Sequence, residues 1–174
     1  MGLRWFLFTM IVRIGPDAVV YERKFQGLCR KPYHAHPEGC PNFGKKKGCP
    51  PRQPLIDEVF DLGRELYVIY TIFPVGKFAE RMRLAHPRWA EQPRQLYNPL
   101  RWQKRARNEH SREVERFLAE HNGMKVDRCP EARGVNITHL MRSVGVELDW
   151  RWPPKHSVKN VKHVVSLAGW PVRE

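Results

Sequence analysis

The sequence lacks most of the features from which a function is usually read. It contains no GxSxG nucleophile elbow, no GxxxxGK[ST] phosphate loop, no GxGxxG dinucleotide fingerprint and no HExxH metal helix. Those absences remove the standard signatures of serine hydrolases, nucleotide-triphosphate-binding folds, dinucleotide enzymes and zincins. There is no internal repeat and no low-complexity tract, which excludes solenoids and biased linkers. Long apolar runs are also missing. The longest near the N-terminus runs from Trp5 to Val12 and is closed by Arg13, well short of the roughly 20 residues that cross a bilayer. No small-residue cleavage site follows it, so the expectation is a cytoplasmic protein with no membrane partner. Acidic residues are scarce, with eighteen against thirty-one lysines and arginines.

What is present is a globular composition, 41% hydrophobic and 28% charged over 174 residues. That length is enough for one domain with a real core. The formal net charge of +13 favours an anionic partner: nucleic acid, a nucleotide or an acidic protein. Between residues 77 and 107 the basic residues are Lys77, Arg81, Arg83, Arg88, Arg94, Arg101, Lys104, Arg105 and Arg107, against only Glu80 and Glu91. The carboxylates Glu109, Glu113, Glu115 and Glu120 lie among arginines and read as helical surface pairs.

Along the chain, Trp5 to Ile14 and Ala18 to Phe25 read as two strands joined at Gly15-Pro16-Asp17, an N-terminal β-hairpin. Residues 26–54 hold three of the four cysteines and no hydrophobic period. A loop of that length needs something to order it, and a metal would serve. Leu55 to Leu62 predicts a short helix, and Glu65 to Phe73 the clearest central strand. Lys77 to Ala85 predicts a helix, as does Pro99 to His121 with Asn98 as cap. Met124 to Val126, Val146 to Trp150 and Lys162 to Ala168 predict strands, and Asn136 to Ser143 a helix. The fold class expected is α+β, with mixed α/β as the alternative. It would be a single domain with a Cys-rich metal-binding loop and a mixed sheet packed by helices.

Cys29, Cys40 and Cys49 are spaced C-x10-C-x8-C, and Cys129 stands 80 residues later. Three of the four precede proline, a context seen at iron–sulfur ligands. Lys45, Lys46, Lys47, Arg30 and Arg128 would lower thiol pKa values and offset a cluster's negative charge. These features point to a 4Fe-4S cluster held by the four cysteines. Zinc is the alternative, and four unlinked core thiols the third reading. His34, His36 and His139 are reserve ligands.

The run CRKPYHAHPEGCPNFGKKKGCPP, the segments HPRW at 86–89 and RWQ at 101–103, and the block CPEARGVNITHLMRSVGVELDW at 129–150 together resemble an uncharacterised family of bacterial and archaeal predicted metal-binding proteins. The resemblance extends over most of the chain. It implies metal binding through Cys29, Cys40, Cys49 and Cys129, and no particular reaction.

Three functions follow from these readings. In the first, the cluster is catalytic, as in a lyase, desulfidase or redox enzyme with an open iron acting on sulfur or as Lewis acid, with Glu131 and Asn136 nearby. In the second, a structural zinc or cluster supports a non-enzymatic RNA- or DNA-binding module. Arg81, Arg83, Arg88, Arg94, Arg101, Lys104, Arg105 and Arg107 would then contact phosphates, and Trp89, Tyr97 and Trp102 would be available to stack on bases, with core packing the alternative for all three and the favoured one for Trp102 from its helical spacing. In the third, the protein is an electron carrier or assembly partner that docks on an acidic protein.

Overall fold

A computed structural model describes residues 7–32 and 36–173. Among the described residues, four strands and five α-helices follow in the order β1 (Phe8–Ile14), α1 (Arg23–Gln26), β2 (Leu66–Phe73), α2 (Val75–Ala85), α3 (Pro93–Leu96), α4 (Pro99–Glu120), β3 (Lys125–Asp127), α5 (Ile137–Ser143) and β4 (Lys162–Gly169). The strands form one antiparallel sheet in the order β1-β2-β4-β3, packed by helices, a mixed α/β fold. β2 (LYVIYTIF) is rich in β-branched and aromatic residues and largely buried. That is what a strand with neighbours on both sides and cover on both faces requires.

The expected N-terminal hairpin does not form. β1 lies beside β2, more than fifty residues away in sequence. The second hairpin arm is instead a 3-10 turn (Pro16–Ala18), an isolated bridge from Tyr21 to Val135 and the short α1. The sheet is antiparallel, not mixed, and residues 146–150 carry no strand. Among the described residues the Cys-rich loop is not a metal-binding loop.

The chain divides into two compact units. The first comprises Met1–Met10, Tyr70–Phe117 and Leu148–Val164. Its core joins Phe73, Val75, Phe78, Ala79, Leu96, Tyr97, Trp102 and Ala106. Phe73 stacks on Trp102 at 4.9 Å, and the Trp102 Nε1–H donates to the Tyr97 carbonyl at 3.0 Å. α4 presents Trp102, Ala106, His110, Val114 and Phe117 inward, one stripe at helical spacing. Asn98 Oδ1 accepts the Leu100 N–H at its start, satisfying one of the donors a helix N-terminus leaves over. His110, 2% exposed, is ordered by Thr71 Oγ1 at 2.9 Å from its Nδ1, and Thr71 in turn by Thr9 at 2.7 Å.

The second unit comprises Ile11–Ile69, Leu118–Glu147 and Val165–Glu174. β3 and β4 pair Lys125 with Gly169, Val126 with Ala168 and Asp127 with Leu167. Ile56, Phe60, Leu66, Leu140, Met141 and Leu167 are fully enclosed. Asn136 caps α5 by accepting the His139 N–H. No described helix is long and apolar enough to cross a membrane.

Candidate functional site

The cysteine segment is ordered by its own backbone. The Cys40 N–H donates to the Cys29 carbonyl at 2.7 Å, the Gly44 N–H to the Pro50 carbonyl at 2.7 Å and the Cys49 N–H to the Lys46 carbonyl at 3.0 Å. Gly39, at φ +85°, lies where a Cβ would meet the Cys29 and Arg30 backbone at 2.7 Å, so only glycine fits that crossing. Gln26, 3% exposed, donates through Nε2 to the carbonyls of Gln53 and Ala132, both at 2.9 Å. Turns and a buried amide therefore do what the sequence reading assigned to a metal.

Among the described residues, no group of three or more His, Cys, Asp or Glu side chains is arranged so that it could hold a metal ion. The assignment of Cys29, Cys40, Cys49 and Cys129 as ligands of a 4Fe-4S cluster or of zinc is corrected on that ground. With it go the metal-binding resemblance, the cluster-dependent lyase, desulfidase or redox enzyme, the cluster- or zinc-supported module and the electron carrier. None of the four cysteines is in a disulfide; Cys129 is exposed and the others are half-buried. The expected lowering of thiol pKa by nearby lysines is reversed at Cys29. Burial first, then the charges of Cys40, Glu131 and Cys49, push that thiol up. His36 and His139 join no ligand set among the described residues; His34 lies outside them. Glu131 sits exposed on the 3-10 turn Pro130–Arg133, and Asn136 spends its side-chain oxygen on the α5 cap.

The charge is unevenly shared. Sixteen of the thirty-one basic residues and six of the eighteen acids fall in the first unit, a net +10, against fifteen and twelve in the second. All eight residues proposed as phosphate contacts lie in the first unit. α4 turns its core stripe inward and so puts Arg101, Lys104 and Arg105 on the opposite side, all exposed. Lys104, Arg105 and Arg107, with Arg88 and Arg94 before them, form no ion pair among the described residues. Arg83 is different: it is held by Glu80 at 2.9 Å.

The aromatic residues do not stand ready to stack on bases. Tyr97 and Trp102 are buried, at 1% and 6% exposure. Trp89 is half-buried, with His86 stacked on it at 3.9 Å and the Arg101 guanidinium 3.8 Å from its ring centre.

A second cluster in this unit had no sequence signal. Gly76, Glu80 and Arg83 fall on one side of α2 by helical spacing. Gly76 admits residues 157–160 against the helix: a Cβ there would lie 1.9 Å from the Ser157 carbonyl oxygen. The Gly76 N–H donates to the Asn160 carbonyl at 2.9 Å. This seats His156 with its Nε2 at 2.9 Å from Arg83 Nη1 and 3.4 Å from Glu80 Oε2. Its Nδ1 is 3.0 Å from the Tyr97 hydroxyl. Burial pushes the Tyr97 phenol up, against the Ser157 hydrogen bond and the Arg83 charge that pull it down. A carboxylate, an imidazole and a guanidinium thus meet at one half-exposed place, with the imidazole oriented by a buried phenol. Such a set can take up, hold and return a proton beside a fixed positive charge.

The second unit carries an open cleft of about 690 Å³ between residues 13–16, 63–65 and Trp170. Its cations are engaged within the protein: Arg13 pairs with Glu65 at 3.2 Å, and Arg64 lies 4.0 Å over Trp170. No known protein family, curated protein or solved structure matches this sequence.

Proposed function

We propose that the first unit binds nucleic acid through phosphate contacts made by the outward side of α4 and the turns before it. The observation that carries this reading is the concentration of charge, +10 in one unit, together with exposed Lys104, Arg105 and Arg107 that have no acidic partner among the described residues. Arg101, Lys104 and Arg107 follow one another at three-residue steps, about 4.5 Å along the helix axis, close enough for their long side chains to reach successive phosphates. Arg88, Arg94 and Arg101 extend the same set. Because the aromatic rings are buried or already stacked, recognition rests on charge and is indifferent to sequence.

The test is fluorescence anisotropy with a labelled oligonucleotide, comparing two triple variants. Arg101→Glu, Lys104→Glu and Arg105→Glu together are expected to weaken binding at least tenfold across unrelated sequences. Lys45→Glu, Lys46→Glu and Lys47→Glu, an equal charge change in the second unit, should cost much less. Equal losses from the two would show that bulk charge alone attracts the polyanion, and no loss from the first would remove α4 from the interface.

A further inference from the structure

We infer that the free edge of β1 pairs antiparallel with the β1 edge of a second copy of this chain, joining two four-stranded sheets into one of eight. β1 is an outer strand in the order β1-β2-β4-β3. One of its two rows of backbone N–H and C=O groups therefore has no strand partner among the described residues. Its sequence, FTMIVRI, holds neither proline nor lysine, the residues that most often blunt such an edge. Its one charge, Arg13, is paired with Glu65 at 3.2 Å, so in a chain of net charge +13 this strand adds nothing to the repulsion. Phe8, Met10 and Ile11 are 61%, 46% and 42% exposed. Side chains alternate along a strand, so Phe8 and Met10 stand on one face of the sheet and Ile11 on the other. A helix or sheet laid over β1 would cover one face only. A strand added beside it covers both, which identifies the occupant as a strand.

That strand is a second β1 because the sequence is complementary to itself. With Ile11 on a two-fold axis, Phe8 lies across from Ile14, Met10 from Val12, Thr9 from Arg13, and Ile11 from its own counterpart. Opposed residues share a face in this register, so the apolar ones meet apolar ones. An aromatic side chain meets a β-branched one at each end, which is among the pairings that hold antiparallel strands together. No charge faces a like charge, and the same patch serves both copies, as a two-fold interface requires. Seven residues at about 3.4 Å each give a seam of about 24 Å. One strand pair is small beside the roughly 1,200–2,000 Å² of a stable complex, so the dimer is weak and forms at micromolar concentration. The repulsion between two chains of +13 is carried by residues outside β1 and is screened by salt. Added salt therefore leaves this contact intact, whereas it weakens any contact with a polyanion.

The test is analytical ultracentrifugation of the full chain, freed of nucleic acid and followed from about 5 to 500 µM, in about 0.1 and 0.5 M sodium chloride. The expected result is a monomer–dimer equilibrium that is no weaker at the higher salt. Ile11→Lys and Ile11→Glu each set like charges face to face on the axis and should weaken it at least about tenfold. An equal mixture of the two variants sets opposite charges there and should restore the dimer. A variant that had merely unfolded could not be rescued by mixing. Monomer at every concentration overturns the inference, whether or not the edge takes a strand of another protein. A dimer unchanged by Ile11→Lys, or one that the mixture fails to restore, also overturns it. So does a dimer that dissolves as salt rises, the mark of a polyanion bridging two copies.

Discussion

Replacing Gly76 by alanine adds one methyl group where the structure has no room for it. The new Cβ would lie 1.9 Å from the Ser157 carbonyl oxygen, 2.9 Å from the Val158 carbonyl carbon and 3.0 Å from the Asn160 nitrogen. All three are backbone atoms, so no side chain can swing aside. Residues 157–160 must retreat by more than about 1 Å to restore ordinary contact. That retreat breaks the 2.9 Å hydrogen bond from the Gly76 N–H to the Asn160 carbonyl, and it leaves a buried first-turn donor without a partner. Helix propensity works the other way, favouring alanine by about 1 kcal/mol. Against it stand about 1–3 kcal/mol for overpacking and about 1–3 kcal/mol for the unsatisfied donor. The costs win, and the net destabilisation is roughly 2–3 kcal/mol. For a chain of this length that lowers the melting temperature by roughly 5–10 °C. Gly48→Ala is the control, because a Cβ there meets nothing within 4 Å. Calorimetry on both variants decides the matter. A Gly76→Ala protein as stable as the original would refute the close approach of residues 157–160 to α2, and with it the seating of His156.

Two further predictions concern stability. Gln26→Leu leaves the part-buried Gln53 and buried Ala132 carbonyls without the donor that serves both, and should cost about 2–3 kcal/mol in urea unfolding. It should also expose residues 27–53 to protease, and unchanged protection would show that the turns alone order the segment. His163 is held below its ordinary value of 6.5, chiefly by burial and then by Lys162. Between the lowered folded value and 6.5 the unfolded chain binds more protons, so the stability present above 6.5 is lost as the pH falls. Melting temperatures across that range should drop less steeply for His163→Gln than for the original, and parallel slopes would contradict the assignment.

Local pattern carried a good part of the architecture. LYVIYTIF could only be a buried strand, and the inward stripe from Trp102 to Phe117 appears in the sequence at helical spacing. Asn98 caps α4 where its side chain suggested. The N-terminal strands failed for a long-range reason. Val19, Val20 and Tyr21 have strand character, but β1 finds its partner in β2, and Tyr21 makes a single bridge to Val135. The cysteines misled because proline and glycine around Cys40 and Cys49 mark tight turns whether or not the thiols bind anything. Here the turns close on their own carbonyls. The Glu80–Arg83–His156 cluster could not be read locally at all. Glu80 and Arg83 are an ordinary helical pair, and His156 stands more than seventy residues away in a segment without regular structure. Its only trace is Gly76, a glycine in the first turn of a helix with no evident need for one.

The central claim is that α4 meets a phosphate chain, and salt dependence tests it most directly. Affinity for a single-stranded oligonucleotide should fall linearly on a double-logarithmic plot against salt, with a slope of about −0.7 for each phosphate neutralised. Reversing Arg101, Lys104 and Arg105 removes three such contacts, so the slope should become shallower by about 2. A slope unchanged by the triple reversal, or no binding at low salt, would contradict it.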